Sequence, residues 1–575
     1  MKPTMKLLAC LKTRLPLLVL FAVASLAATA HAAAPGITGP TFNLIAQDSY
    51  LNQPDGSAVY SWGFGCNGAP SGFLPAAIAT ASCNTMQVPG PTLIVHEGDT
   101  VTINLKNGLP APAGNTSILF PGFNVCVGTV SASGCAPLAN NGVPGLLTQE
   151  AANGATVTYS FIASQPGTHS YYSGTQGDLQ VEMGLYGALI VLPTNPGGTA
   201  GCDPVHATNA MAQHHWNEDD FRLSTAAYDI PQSCYDREYL FQFAEMDPNI
   251  HNAALAQVTA MTSPTGACTT AGPTSPGCKL DVPTEPYHPA YFLINGRSMP
   301  DDMDDNYGDQ YPHQPYNGNP HVHPGEMMLL RVIGQGRWQH PFHEHANHVR
   351  ILARDANLIL TPDGNALAGA PLFTTTTTPG QTMDGIFYYT GRGLNWDMYG
   401  HNPSSSDPLA TLPCNPDANG YNTGGNAYMQ VNYYEWCQDH NKPLEAAPFG
   451  DVNAGGPATL PNPLILTNGN WYSGSPYLGP DATLRATTAL SSQGGAGSQS
   501  SSGCVTGTAG TAASTPNCSN MLPSNTQANP ANERGFAFMW HSHNEREITT
   551  NNVFPGGMMM MLLVDSREFV IDESK

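Results

Sequence analysis

Two short segments of the chain carry histidines at alternate positions. They are His343 and His345 in one segment, and His541 and His543 in the other. Because alternate residues of a β-strand point to the same face, each pair predicts two imidazoles on one side of a strand. If the two strands are neighbours, four neutral imidazoles converge, a ligand set suited to copper or zinc. The spacing therefore predicts a metal site, the alternative being ordinary histidines satisfied by hydrogen bonds.

Alternation of apolar and polar residues marks the first elements of the chain. Residues 92–105 show this period of two on both sides of an acidic turn, which is the signature of paired strands. Two further strands, 155–161 and 185–191, follow the same pattern. Together they predict a first β-sandwich domain at residues 35–195.

A second unit follows a linker at residues 196–236. Its first strand starts at Arg237 and its last strands include the second histidine pair, so we place it at residues 237–395 and 535–570. Residues 396–534 are rich in Gly, Ser and Asn and are predicted to form one long insertion within it. The predicted fold class is all-β, with two sandwich domains and long loop insertions.

The composition agrees with this fold and excludes several functions. Only 11% of the 575 residues are charged, whereas Gly and Pro number 59 and 50, which argues against helical bundles and coiled coils. The formal charge is −23 and no run of basic residues follows the amino-terminal leader, so nucleic acid is excluded as a partner. Hydrolase and nucleotide-binding motifs are also missing from the sequence.

Residues 1–32 have the features of a cleaved signal peptide. Basic residues precede an apolar run from Leu15 to Ala28, and Ala30 and Ala32 form a small-residue cleavage site. A retained membrane anchor is the alternative, but it needs about 20 apolar residues, and this run is shorter. We therefore expect a periplasmic or extracellular protein that has no membrane span after cleavage.

The cysteines support this compartment. Cys10 leaves with the leader, and the remaining cysteines fall into neighbouring pairs without Cys-x-x-Cys spacing. An oxidising compartment favours disulfides over zinc sites, although sequence alone does not fix the connectivity. The simplest pairing is Cys66/Cys83, Cys126/Cys135, Cys202/Cys234, Cys268/Cys278, Cys414/Cys437 and Cys504/Cys518.

Several segments, taken in order, resemble the landmarks of the multicopper oxidase family. This resemblance covers about half of the chain and implies two Greek-key β-sandwiches of the cupredoxin type, with the motif-bearing strands of the first and last domains facing each other. The segments are Gly90–Leu105, Asn141–Gln149, Gln165–Thr168, Gly184–Val191, His340–His345 and Trp540–His543.

The chain departs from the family pattern at most of its copper ligands. The first two histidine motifs fall on Leu119–Gly122 and Tyr171–Gly174, where no histidine stands. Ser542 replaces the cysteine of the last motif, and Glu547 takes the place of a further histidine. A serine hydroxyl cannot supply the thiolate of a blue copper centre. Laccase-type reduction of dioxygen is therefore not expected.

The resemblance implies copper as the cofactor, in a mononuclear or binuclear site at the four clustered histidines. His340, Glu547 and Met558 are the candidate additional ligands around the former blue copper pocket, where a harder divalent metal is the alternative. If the site performs redox chemistry, Glu547 or Tyr172 is the candidate group for handling protons or electrons.

Two functions therefore stay open for the chain. One is a secreted, copper-dependent oxidoreductase that is not a laccase. The other is a non-catalytic protein for copper binding, metal tolerance or cell-surface structure. The substrate, either a small molecule or a metal ion, is not specified by the sequence. A homo-oligomer is left open by analogy with two-domain cupredoxin proteins.

Overall fold

The structure is a computed structural model in which strands far outnumber helices, as the sequence predicts. The predicted signal peptide and most of the insertion at 396–534 lie outside the residues it describes. No helix in the described part of the chain is long and apolar enough to cross a membrane. The described residues are 34–78, 81–128, 130–131, 134–135, 148–208, 218–393, 399, 412–424, 430, 432–440, 535–565, 571 and 573.

Twelve strands lie among the described residues between 36 and 192. Their alternate residues are buried, as in residues 100–107, where every second side chain from Val101 onward is buried. The strands are β1 (Gly36–Thr38), β2 (Thr41–Asn52), β3 (Ala58–Cys66), β4 (Phe73–Leu74), β5 (Leu93–His96), β6 (Thr100–Asn107), β7 (Cys126–Val127), β8 (Val130–Ser131), β9 (Gly134–Cys135), β10 (Thr156–Ile162), β11 (Gly167–Tyr172) and β12 (Tyr186–Leu192).

A second set of strands runs from residue 237 to residue 565. The strands are β13 (Arg237–Met246), β14 (Tyr291–Ile294), β15 (His321–Val322), β16 (Met327–Gly334), β17 (His340–Glu344), β18 (Val349–Arg354), β19 (Asn357–Leu358), β20 (Pro371–Leu372), β21 (Thr374–Thr377), β22 (Thr382–Tyr388), β23 (Gly535–Ser542) and β24 (Met559–Asp565).

These strands form two sandwiches. In the first, the sheet β11-β12-β5-β1-β4 packs on the sheet β3-β2-β6-β10-β7, and apolar residues of both sheets share one core. In the second, the sheet β14-β13-β16-β22-β18-β19, with β20 beside β18, packs on the sheet β15-β24-β23-β17-β21. The strands β17 and β23 meet only through tertiary pairing, because the long insertion separates them in the sequence.

The two sandwiches also pack on each other, so the sheets form four successive layers. Ile94 and Ile190 of the first sandwich share an apolar cluster with Leu240 and Ile333 of the second. The two middle sheets are therefore covered on both faces, and every residue of β12 and β13 is buried. The sheet that carries β17 and β23 is the outermost layer on its side.

One long helix was not predicted from the sequence. It spans Pro248–Thr262. The N-cap residue Asp247 precedes it, and the carboxylate of Asp247 accepts a hydrogen bond from the amide of Asn249. Pro at the first helical position also favours a helix start. Its buried residues Ile250, Ala254 and Val258 recur every four positions and join the core of the first sandwich. Three shorter helices are Gly177–Gln180, Pro204–Thr208 and Ala267–Thr270.

Four of the predicted disulfides are confirmed. The structure joins Cys66 to Cys83 and Cys202 to Cys234. It also joins Cys268 to Cys278 and Cys414 to Cys437. Cys126 is disulfide-bonded too. The side chain of Cys135, as well as Cys504 and Cys518, lies outside the described part of the chain.

Candidate metal centre

The histidines are brought together by the pairing of β17 with β23. In this antiparallel pair His343 lies opposite His541, and Phe342 lies opposite Ser542. Phe342 and Trp540 belong to the core between the two sheets. Because successive residues alternate between faces, His343 and His541 lie on the outer face of the sheet. The register thus makes the two strands neighbours, which is the condition for the two histidine pairs to converge.

Three histidine side chains converge closely enough to share one metal ion. One ring nitrogen from each of His343, His345 and His541 lies within 4.8 Å of the others, and all three residues are buried. The Nε2 atoms of His345 and His541 are 3.2 Å apart. The other set of this kind among the described residues, Cys414, Glu435 and His440, has its cysteine in a disulfide. The outer-face histidines therefore form the best ligand set in the described chain.

His543 completes the cluster at its solvent side. Its ring centroid is 4.8 Å from that of His343 and 5.6 Å from that of His541. Unlike the other three, His543 is exposed, and its nitrogens are not within the close ligand set. The cluster thus consists of a buried group of three imidazoles and a fourth that borders solvent.

Hydrogen bonds fix the orientation of these rings. The Nδ1 atom of His343 is 2.6 Å from the hydroxyl of Thr374. The Nδ1 atom of His541 donates to the carbonyl of Ser542, at 2.7 Å. A carbonyl can only accept, so a neutral His541 presents an unprotonated Nε2 to the other rings. Such bonds to the second ring nitrogen are typical of metal-binding histidines.

The surroundings also keep the rings neutral. Burial, followed by the neighbouring His541 and His543, lowers the pKa of His343 to about 4. Burial likewise lowers the pKa of His541. Desolvation disfavours the charged imidazolium, and clustered cations would repel each other. At neutral pH these nitrogens are therefore free of the extra proton that would compete with a metal ion.

The inner face of the same strands carries a different constellation. The Nδ1 atom of His340 is 2.9 Å from Glu547, and its Nε2 atom is 3.0 Å from Glu245. Ser542 donates its hydroxyl to Glu547. Burial opposes protonation of His340, but the hydrogen bonds to the two carboxylates outweigh it and raise its pKa to about 9. The inner face thus holds His340 between two carboxylates, which favour its protonated form.

The additional candidate ligands are accordingly arranged differently from the four histidines. His340, Glu547 and Met558 are not part of the close set of ligand atoms, and their role as ligands stays a prediction. Met558 is fully buried and belongs to the apolar core. The carboxylate of Glu547 accepts hydrogen bonds from His340 and Ser542. Tyr172 lines a separate cavity to which none of the four clustered histidines contributes.

One implication of the resemblance is wrong for this chain. We expected the motif strands of the first and last domains to face each other. In the described structure, β11 of the first sandwich contacts β16 and β22. The histidines project instead from β17 and β23 on the far side of the second sandwich. The physical reason is the four-layer packing, which buries the other sheet of the second sandwich against the first.

Sequence reasoning missed two residues of these sites. Glu245 is the penultimate residue of the buried strand β13, and a carboxylate inside an apolar strand was the available signal, because buried charges are normally paired. Thr374 lies in a run of five threonines that has no distinguishing pattern. Its contact with His343 depends on the pairing of β21 with β17.

The fold and the site define a cupredoxin-like protein built from two β-sandwiches. The family model for multicopper oxidases matches residues 77–196. The comparisons therefore support a cupredoxin-like relative of the multicopper oxidases, with the similarity carried by that segment.

Several known proteins are similar to part of this chain or to its fold. The chain is 37% identical over 107 residues to the multicopper oxidase MCE of Talaromyces pinophilus, covering 19% of this chain and 15% of that protein. It is 35% identical over 109 residues to copper resistance protein A of Escherichia coli, again covering 19% and 15%. The matches thus span about 15% of the length of these two relatives. A blue copper oxidase of Nitrosomonas europaea aligns over 91% of this chain and 85% of its own, with 15% identity and a TM-score of 0.41.

Proposed function

We propose that the protein is a secreted copper-binding member of the multicopper oxidase family that holds one copper ion at the outer-face histidines. His343, His345 and His541 are the main ligands, and His543 is the fourth. The observation that carries this proposal is the convergence of three buried ring nitrogens within 4.8 Å. Imidazole ligands suit copper, and with all-nitrogen donors copper binds more tightly than the other common divalent metals.

The protonation state of these histidines suits a copper ion, as do the distances between their ring nitrogens. The lowered pKa values of His343 and His541 leave unprotonated nitrogens at neutral pH. Bound copper would supply one-electron redox chemistry at this position. Thr374 and the Ser542 carbonyl would hold the rings in place.

The same geometry argues against the complete reaction of a laccase. That reaction needs a thiolate-bound copper beside a three-copper cluster, as the family pattern implies. Here Ser542 takes the thiolate position, and its hydroxyl is bonded to Glu547. The first-domain motif segments supply no histidine. Binding of a single copper, with mononuclear redox activity or with none, is therefore the function that the site supports.

The exposed His543 favours a redox-active site over a purely structural one. A metal held by three buried imidazoles on one side keeps its other side toward solvent, where a small molecule can approach. A non-catalytic role in copper tolerance is the second candidate, and the matched E. coli relative is named a copper resistance protein. Turnover of a small reductant by the copper-loaded protein would distinguish the two.

Secretion is part of the proposal. It is supported by the leader-like residues 1–32 and by the confirmed disulfides, which persist in oxidising compartments. Export of a fusion between residues 1–40 and a periplasmic reporter would test it. Retention of the reporter in the cytoplasm would contradict it.

The decisive experiment measures copper by elemental analysis, both as isolated and after reconstitution with Cu²⁺. The wild type should hold about one copper per chain, and the double variant His345→Ala/His541→Ala should hold none. His96→Ala is the matched control, because His96 is an exposed histidine of the other sandwich. Equal copper in the double variant and the wild type would refute the site.

A further inference from the structure

A cavity of about 410 Å³ lies between the two sandwiches, away from the histidine cluster. The first sandwich contributes Gly122, His169 and Tyr172 to its wall, and the second contributes Asp355, Gly380 and Gln381. Its volume is within the range of small-molecule sites, which often occur at domain interfaces. The cavity incorporates Gly122 and Tyr172, which stand in the two segments where the family pattern expects copper histidines.

The hydrogen-bonding state of His169 can be read from its contacts. Its Nε2 atom is 3.0 Å from the carbonyl of Gln165, so Nε2 must be the donor. Burial lowers the pKa of His169 despite the nearby Asp384 and Asp355. The ring is therefore neutral, and its Nδ1 atom is an acceptor. Among the described residues, Nδ1 makes no hydrogen bond of its own.

Two glycines keep the polar atoms of the cavity accessible. A Cβ atom on Gly122 would lie 3.6 Å from Nδ1 of His169, and one on Gly380 would lie 3.5 Å from the Tyr172 hydroxyl. Both glycines have positive φ, at 89° and 77°, which disfavours any side chain there. The described structure gives the Tyr172 hydroxyl no hydrogen-bond partner either. A donor and an acceptor thus face the same space.

Two more groups add one acceptor and one donor. Asp355 accepts a hydrogen bond from the amide of Thr382 through one carboxylate oxygen, which leaves its second oxygen toward the cavity rim. Gln381 accepts from Arg354 through its carbonyl, so its amide N–H groups remain as donors. The wall therefore offers two acceptors, at His169 and Asp355, a donor at Gln381, and the Tyr172 hydroxyl, which can donate or accept.

This combination of hydrogen-bond donors and acceptors determines which class of ligand the cavity can bind. An ammonium group can only donate and would leave the amide N–H groups of Gln381 unsatisfied. A carboxylate can only accept and would be repelled by Asp355. A hydroxyl group both donates and accepts, so vicinal hydroxyls satisfy all four wall groups. We propose that this cavity binds a small neutral molecule that carries several hydroxyl groups.

The proposal is tested by calorimetric titration of the metal-free, full-length protein with three neutral probes. The probes are catechol, cis-1,2-cyclohexanediol and myo-inositol, and benzoate and benzylammonium are the charged comparisons. We expect saturable one-to-one binding of at least one neutral probe and weaker binding of both charged compounds. No binding of any neutral probe, or tighter binding of a charged compound, would overturn the proposal.

Variants locate the binding event. Tyr172→Phe and His169→Phe should each weaken binding by about tenfold, as expected for the loss of one hydrogen bond in a desolvated site. Tyr50→Phe is the matched control, because Tyr50 is an exposed tyrosine in the outer sheet of the first sandwich. His345→Ala/His541→Ala should bind the probe normally, which separates this cavity from the copper site. Unchanged binding in both cavity variants would refute the assignment, and retained near-ultraviolet circular dichroism would show that they are folded.

Discussion

The Nε2 atoms of His345 and His541 lie 3.2 Å apart, although 196 positions separate the two residues in the sequence. Because Nδ1 of His541 donates to the Ser542 carbonyl, the neutral ring has its lone pair on Nε2. Two lone pairs at this distance repel each other. The contact is favourable if His345 contributes a proton or if both nitrogens bind one metal ion, so the geometry couples metal binding to the pairing of β17 with β23.

The hydroxyl of Thr374 should control copper affinity through His343. Thr374→Val removes the group that lies 2.6 Å from Nδ1 of His343. Loss of such an orienting bond typically lowers metal affinity by about 10- to 100-fold. Competition with a copper chelator would measure the change. Thr376→Val, two positions along the same strand, is the control. Equal affinity of the two variants would contradict an orienting role for Thr374.

The buried group of His340, Glu245 and Glu547 should make the free energy of unfolding fall at alkaline pH. The pKa of His340 is raised to about 9 by its two carboxylate partners, against an ordinary value near 6.5. A raised pKa means that the folded state holds the proton more tightly. The added stability is therefore fully present below about pH 6.5 and is lost as the pH rises through about 9.

The corresponding experiment compares His340→Gln with the wild type by urea unfolding at pH 7 and pH 10. The wild type should lose on the order of 3 kcal/mol more than the variant over this interval. The tyrosine and lysine residues titrate in both proteins. The difference between their two pH dependences therefore reports on His340. Parallel pH profiles of the two proteins would show that His340 is not protonated in the folded state.

The copper-loaded protein should not be blue. Intense visible absorption in blue copper proteins comes from a cysteine thiolate bound to copper. Here Ser542 occupies that position and donates to Glu547. Absorption and electron paramagnetic resonance spectra should instead show copper with nitrogen ligands only, and His345→Ala/His541→Ala should lose that signal. An intense blue band would mean that the alignment of Ser542 with the family cysteine is wrong.

Trp540 should hold the backbone of His345 in its position at the metal site. Its indole N–H donates to the carbonyl of His345 at 3.0 Å, and its ring is fully buried. Trp540→Phe removes this buried hydrogen bond, which should cost about 1 kcal/mol of unfolding free energy. Copper affinity should fall too, because His345 loses its anchor.

Trp338→Phe is the matched control for that experiment. Trp338 is half-buried, its ring packs against Tyr287 and Phe292, and its backbone N–H, which the substitution keeps, donates to Glu245. Its replacement should leave copper affinity unchanged. If both tryptophan variants lost copper equally, the effect would be a general loss of stability and not the hydrogen bond to His345.

Much of the fold could be predicted because its signals are local. Alternating apolar residues marked β6, β10 and β23, and neighbouring cysteines marked four disulfides that the structure confirms. The helix Pro248–Thr262 was missed, since it lies among long loops and its start signal, Asp247 before Pro248, is short.

The sequence by itself determined the ligand types at His343, His345, His541 and His543, because alternation on a strand sets which residues share a face. Only the tertiary structure decided that β17 and β23 are neighbours, since their pairing spans a long insertion. It also decided that the cluster lies on the outermost sheet, and that Glu245 meets His340. Register, layer packing and buried ion pairs depend on contacts between distant segments, and such contacts leave no pattern within any one segment.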